Sequence, residues 1–269
     1  MSGSLAAQLE AALARQGTKA RAGDQKAYLK SALVHLGVTV PKLRATVAML
    51  DRAQPPMTHD DLVATARALW SRGIYELRAA AVELLLRRSS LLGPRDVPLI
   101  ERLIRDAHTW ALVDVLAPAI IGPLVVAHPA LGRTLDRWAN DPEFWVRRAA
   151  LLALLGPLRG GGGDFDRFGR YADAMLEDKE FFIRKAIGWV LREVSKRRPA
   201  VVHAWLLPRA HRASGLTLRE ATKYLPAEQR AEILARARGH RSGPASGGQS
   251  SASSSSSASS SSRRRAARR

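Results

Sequence analysis

Six five-residue blocks recur at nearly constant spacing along the chain: PKLRA at 41–45, YELRA at 75–79, WALVD at 110–114, FWVRR at 144–148, FFIRK at 181–185 and LTLRE at 216–220. Their starts lie 34, 35, 34, 37 and 35 residues apart. The third place is always apolar: Leu43, Leu77, Leu112, Val146, Ile183, Leu218. The fourth is arginine in five of six: Arg44, Arg78, Arg147, Arg184 and Arg219, with Val113 the exception. A period in the mid-thirties holds two helices and two turns. A unit that small cannot bury its own apolar face, so neighbours must stack into a continuous core. The expectation is an all-α solenoid of about six repeats, with each block opening the second helix of its unit.

The segments between the blocks agree, and none reads as a strand. Residues 4–16 are amphipathic. Asp24 can cap a helix holding Tyr28, Leu29, Leu33 and Leu36, with Gly37 ending it. Pro41 suits a first helical turn, Thr58 can cap a helix through Trp70, and Asp141-Pro142 can open another. A helix is expected over 109–127. The strongest single helix runs from Asp178, as cap, to Pro199, as stop, with Phe181, Ile183, Ile187, Val190, Leu191 and Val194 on its apolar stripe. The period is near that of tetratricopeptide repeats, but their W-x-x-L-G-x-x-Y signature is absent. The array is therefore expected to be a HEAT-like helical-repeat solenoid spanning 1–238. A Ser-rich tail from 239 to 269, ending in RRRAARR, is expected to be disordered, because it has too little apolar surface to fold.

Charge narrows the partners. There are 43 Lys+Arg against 24 Asp+Glu, a net charge of +19. Six arginines and no acid follow Gly239, so +13 remains on the repeats. A folded array that basic points to a polyanion, with nucleic acid first. With no cysteine there is no disulfide frame, thiol nucleophile or cysteine metal site. The seven histidines show no metal-ligand spacing, so neither metal nor cofactor is expected. No apolar run approaching the ~18 residues of a membrane span is evident, nor an apolar signal segment. A protein that spans no membrane is expected, in a bacterial-type cytoplasm and at the nucleoid through DNA.

The arginine column predicts either a basic stripe along one face or a structural ladder between repeats. The fifth column says more: Ala45, Ala79, Asp114, Arg148, Lys185, Glu220. Among interior units only one puts a carboxylate there. Asp114 lies one helical turn after Trp110, so the two share a face. A carboxylate opposing DNA phosphate needs a compensating role, in chemistry or as the ion-pair partner of Arg148 in the next unit.

TWALVD at 109–114, FWVRRAA at 144–150 and KEFFIRKAIGWVLRE at 179–193 resemble the AlkD family of DNA alkylation-repair glycosylases, which are built of HEAT-like repeats. YLKSALVHLGVTVPKLR at 28–44 is similar to that family's opening helix and turn. The resemblance covers roughly residues 20–225. It implies a catalytic cluster of Trp110, Asp114 and Trp189, and a DNA-contacting surface that includes Arg148 and Arg192. Lys185, Arg147 and Tyr28 are further DNA-binding candidates. Two departures stand beside the cluster: Thr109, where the family often has a second Trp, and Ala111, where it often has an acid. The implied substrate is damaged double-stranded DNA, handled by a monomer that does not flip the base into a pocket.

Those residue types suit the implied reaction. A purine alkylated at N3 or N7 is cationic and leaves readily. Breaking its glycosidic bond builds positive charge on the deoxyribose, which a fixed carboxylate can stabilise. Indole faces favour a nearby cation. The competing reading is a noncatalytic HEAT-like module that binds distorted or branched DNA, with Trp110 and Trp189 as core residues. Trp70, Trp138 and Trp205 are expected in the core.

Overall fold

A computed structural model describes residues 4–239. Among the described residues there is no strand, only an isolated parallel bridge between Val34 and Ile74. The first unit comprises α1 (Leu5–Ala14), an inserted helix α2 (Lys19–Leu29) and α3 (Val40–Arg52). The second is α4 (His59–Trp70) and α5 (Tyr75–Arg87); the third is α6 (Val97–Arg105), α7 (Trp110–Val115) and α8 (Gly122–Ala127). Next come α9 (Gly132–Trp138) with α10 (Phe144–Ala153) and α11 (Leu155–Arg159), then α12 (Phe165–Ala174) with α13 (Phe181–Ser195). The unit of α14 (Pro199–Leu206) and α15 (Gly215–Ala221) is followed by α16 (Ala227–Gly239), which packs on α14.

All six blocks open second helices, as their spacing requires. Those helices pack side by side in chain order: α3 on α5, α5 on α7, α7 on α10, α10 on α13, α13 on α15. The apolar third column is the seam between them. Leu77, Val146 and Ile183 are fully buried, and Leu43, Leu112 and Leu218 nearly so.

The three inner arginines of the column, Arg78, Arg147 and Arg184, form a structural ladder, whereas Arg44 is exposed and paired with Glu83 and Arg219 is exposed. Arg147 Nη1 donates to the carbonyls of Asp141 and Pro142, both at 2.8 Å, and Arg184 Nε donates to the carbonyl of Asp178 at 2.6 Å. Arg78 donates to the carbonyls of Trp70 and Asp106. Each of these three guanidinium groups thus ties its helix to the turns beside it, where carbonyls lack helical partners. The two interior turns share a D-x-E-F pattern. Asp141 and Asp178 accept the amides of Glu143 and Glu180 at 2.9 and 2.8 Å. Glu143 and Glu180 then cap the helices by accepting the amides of Trp145 and Phe182. The expected cap at Asp178 is therefore two residues early.

Two more expectations need correction. Asp24 does not cap a helix but lies inside α2, which starts at Lys19, and that helix does not reach Leu36: it ends at Leu29, with Lys30 left-handed at φ 48°. Tertiary partners overrule local propensity there, because the bridge at Val34 and the amides of residues 36–38 are claimed by α5. An apolar run of membrane-span length does exist: Trp110–Ala127 has 18 residues and mean hydropathy 2.0. It is an inner helix of the stack, with Leu112, Val113, Leu116, Ala117, Ile120 and Ile121 buried. Its middle, Leu116–Ile121, widens to a π-turn around Pro118, which has no N–H to donate. Trp70 and Trp138 are buried as expected, their indole N–H groups donating to Asp106 and Glu101 at 2.9 Å, while Trp205 is half-buried. The tail lies outside the described residues.

Candidate functional site

Stacked second helices bring equivalent positions into line, and four of the six fifth-column residues meet in one cleft of about 370 Å³. Asp114, Arg148, Lys185 and Glu220 come from α7, α10, α13 and α15 and all line it. Trp110 enters one turn before Asp114, and Trp189 one turn after Lys185. Both indoles are half-buried, packed against the core on one side and open to the cleft on the other. Arg192, Phe181 and Phe182 complete the α13 wall.

The ion pair at the centre is specific in geometry. Arg148 Nε and Nη2 donate to Asp114 Oδ1 and Oδ2, both at 2.8 Å, and Nη1 donates to the carbonyl of Phe182. The Arg148 side chain is 2% exposed, against 15% for Asp114. Such a side-by-side pair fixes the carboxylate plane as well as its position. Each carboxylate oxygen keeps lone pairs beyond the one given to Arg148. Asp114 therefore lies in the cleft wall as an oriented, partly exposed anion.

Several expected roles shift. Arg148, expected to reach DNA phosphate, has its guanidinium committed inside the protein. Arg147 is turned away from the cleft, bonded to the 141–142 carbonyls and to Asp178 at 3.0 Å. Lys185 is exposed, and Arg192 lines the cleft while paired with Glu220 and Glu193. Phe181 is not on the apolar stripe of α13; it is 45% exposed at the cleft mouth.

Sequence reading did not single out Lys30, Phe182 or the cleft role of Glu220. Glu220 shares Asp114's column, so the alignment contained that signal. Lys30 is placed by tertiary structure alone. Its ammonium lies 5.3 Å from the Phe181 ring centre, and that of Lys185 lies 5.9 Å away, so two cations from distant units flank one exposed ring. Tyr28, 73% exposed, meets Trp110 edge-on at 5.8 Å. Thr109 Oγ1 donates to the Leu29 carbonyl at 3.1 Å, joining α2 to the head of α7. Beside the cleft an apolar groove of about 320 Å³ shares Tyr28, Trp110 and Asp114 with it. No group of three or more potential metal ligands occurs among the described residues.

The family model for DNA alkylation repair enzymes matches residues 9–225. The chain belongs to this family. Among solved structures it is similar to a predicted DNA alkylation repair enzyme from Enterococcus faecalis, at 25% identity and TM-score 0.69. That match covers 79% of this chain and 98% of the other. AlkD2 from Streptococcus mutans has the same fold at 17% identity and TM-score 0.53, over 78% of this chain and 99% of its own. So does smu.31 from Streptococcus mutans UA159, at 19% and 0.52, over 70% and 93%. No curated protein matches the sequence. DNA repair is thus the family's business, and in this member the Trp110–Asp114–Trp189 cleft brings aromatic faces and an oriented carboxylate together.

Proposed function

We propose that the protein is a monofunctional DNA glycosylase that hydrolyses the N-glycosidic bond of cationic alkylated purines in duplex DNA, such as N7-alkylguanine and N3-alkyladenine. One observation carries the reading: Asp114, an anion oriented by a buried arginine, in a cleft wall between two indoles. The bond from C1′ to the purine N9 breaks with its electrons going to the base. The base was cationic and leaves neutral. Positive charge passes to the deoxyribose, where Asp114 opposes it and Trp110 and Trp189 offer ring faces. Water then adds to C1′ and gives up a proton. No cofactor or metal is needed, because alkylation has already made the leaving group good.

Lys185 and Arg192 are the DNA-binding cations of this reading, with Tyr28 covering the sugar side. Arg148 orients Asp114. The repeats of 1–238 form the glycosylase domain, acting as a monomer on damaged duplex in a bacterial-type cytoplasm, at the nucleoid. The test is release of free base from a duplex carrying N7-methylguanine, measured by chromatography with purified protein. Release no faster than spontaneous depurination, with binding intact, rejects catalysis and leaves a noncatalytic DNA-binding module.

A further inference from the structure

The inserted helix α2 carries Tyr28 and delivers Lys30 to the cleft, yet only Leu29 in it is buried. Something other than its own packing must hold it. The segment 31–39 that follows is anchored by one side chain from the next unit, Glu76 at the head of α5. Glu76 is fully buried, and among the described residues it has no cationic partner in an ion pair. Its carboxylate instead accepts three successive backbone amides: Leu36 N at 2.9 Å, Gly37 N at 2.7 Å and Val38 N at 3.1 Å.

Other contacts continue from that turn to α2. Gln25 donates to the Val38 carbonyl at 2.8 Å. Gly37 sits at φ 84°, and a Cβ there would lie 2.2 Å from the Thr18 carbonyl oxygen, so the turn presses against the start of α2. Tyr75 N donates to the Val34 carbonyl at 2.8 Å, beside Glu76. A buried carboxylate tolerates loss of water only when its lone pairs are filled, and here backbone amides fill them. Its specificity is for backbone geometry, so it fixes the turn's shape and not merely its apolar burial.

We propose that Glu76 is a positioning residue for the cleft: by clasping the amides of 36–38 it holds α2 so that Tyr28 and Lys30 stand across the mouth from Trp110 and Phe181. The inference rests on the glycosylase reading of the cleft. Glu76 touches no DNA. It acts through Tyr28 and Lys30, whose contacts to Trp110 and Phe181 exist only while the turn is clasped.

The test is Glu76→Gln, which keeps the side chain's shape but turns an amide NH2 toward a backbone donor. Hydrogen exchange of residues 19–39 should quicken while α5 through α15 keep their protection. Single-turnover excision of N7-methylguanine should slow about tenfold, the scale of one lost aromatic contact. Added to the double variant Tyr28→Ala with Lys30→Ala, Glu76→Gln should slow excision no further, because that variant already removes both contacts through which Glu76 acts. Unchanged exchange in 19–39 would overturn the clasp. Loss of protection throughout, with effects that add to those of the Tyr28→Ala, Lys30→Ala double variant, would make Glu76 a plain scaffold residue. If the wild type releases no base but exchange responds as expected, the clasp stands and the glycosylase reading falls; affinity for undamaged duplex then replaces excision in the cycle.

Discussion

Asp114→Asn keeps the shape of the side chain and removes its charge, and the structure fixes two consequences. The first is stability. Arg148 is 2% exposed and loses its carboxylate partner. Breaking a buried pair costs roughly 3–5 kcal/mol when nothing replaces the lost group. Asparagine keeps one acceptor oxygen, and the Phe182 carbonyl still holds Nη1. The loss should therefore be smaller, about 2–3 kcal/mol. At roughly 2–4 °C per kcal/mol for a chain of this size, the melting temperature should fall by about 4–12 °C. A fall in stability thus discriminates nothing by itself, since the pair is structural whatever else it does.

The second consequence is the rate. A preorganised group opposing charge that develops in the transition state is worth about 100-fold or more. Interactions made only at the transition state change the rate and leave ground-state affinity alone. Single-turnover excision of N7-methylguanine should therefore drop at least about 100-fold. It is measured well below the variant's melting temperature and normalised to folded protein by circular dichroism. Duplex affinity should hold or rise slightly, one negative charge having left the cleft. Normal excision per folded molecule, alongside the lower melting temperature, would refute the reasoning and reduce Asp114 to a salt-bridge residue.

Arg148→Ala should lower stability and slow excision even at saturating protein, with duplex affinity falling only as far as the uncompensated Asp114 charge lowers it; weakened binding to damaged and undamaged duplex alike, with saturated excision unchanged, would return it to a phosphate role. Truncation after Gly239 removes six arginines and should weaken duplex binding and flatten its salt dependence, with excision at saturating protein preserved; an unchanged salt slope would leave the tail without a DNA contact. The Asp141 carboxyl is held below its ordinary value of 3.8, first by its hydrogen bonds from Arg105. Its stabilisation is therefore full above 3.8 and lost as pH falls below it, so Asp141→Asn should destabilise the protein near neutrality and converge on wild type in acid. A melting-temperature difference that stays constant down the acid limb would deny that linkage.

What was legible in the sequence is what the repeat imposes. A fixed period places Asp114, Arg148, Lys185 and Glu220 in one file because stacked helices carry equal residues to equal places. The same alignment could not say which way the neighbouring arginine column turns. Its answer lies in the D-x-E-F turns, whose carbonyls at 141 and 178 sit six residues before Arg147 and Arg184 and capture them. Phe181 was misjudged for a related reason: helical periodicity counts it with Ile183 and Ile187, but it is the first residue of α13 and faces the mouth. The largest miss is the inserted α2 and its turn. Local signals there favour a longer helix, and the deciding partners, Glu76 and Ile74, lie some forty residues on. Single-chain patterns see neither a buried carboxylate taking three amides nor the lysine it brings to the cleft.

A carboxylate in a cationic groove posed a conflict: it repels the phosphates the groove must attract. Its arginine resolves the conflict because the two belong to one column, 34 residues apart, so stacking one unit on the next creates the pair. Seen from the duplex, Asp114 and Arg148 together carry no net charge, and binding is not penalised. The carboxylate is the more exposed of the two, 15% against 2%, so a deoxyribose placed in the cleft would meet it before the guanidinium. Coulomb energy falls with distance, so a cation forming there feels the anion more than its partner. In the proposed reaction the pair is therefore neutral toward the substrate as it binds and anionic toward the charge that would appear as the bond breaks. On the proposed reading this is the differential on which catalysis would depend, and a lysine in place of Arg148 could not supply the same two-point hold on the carboxylate plane.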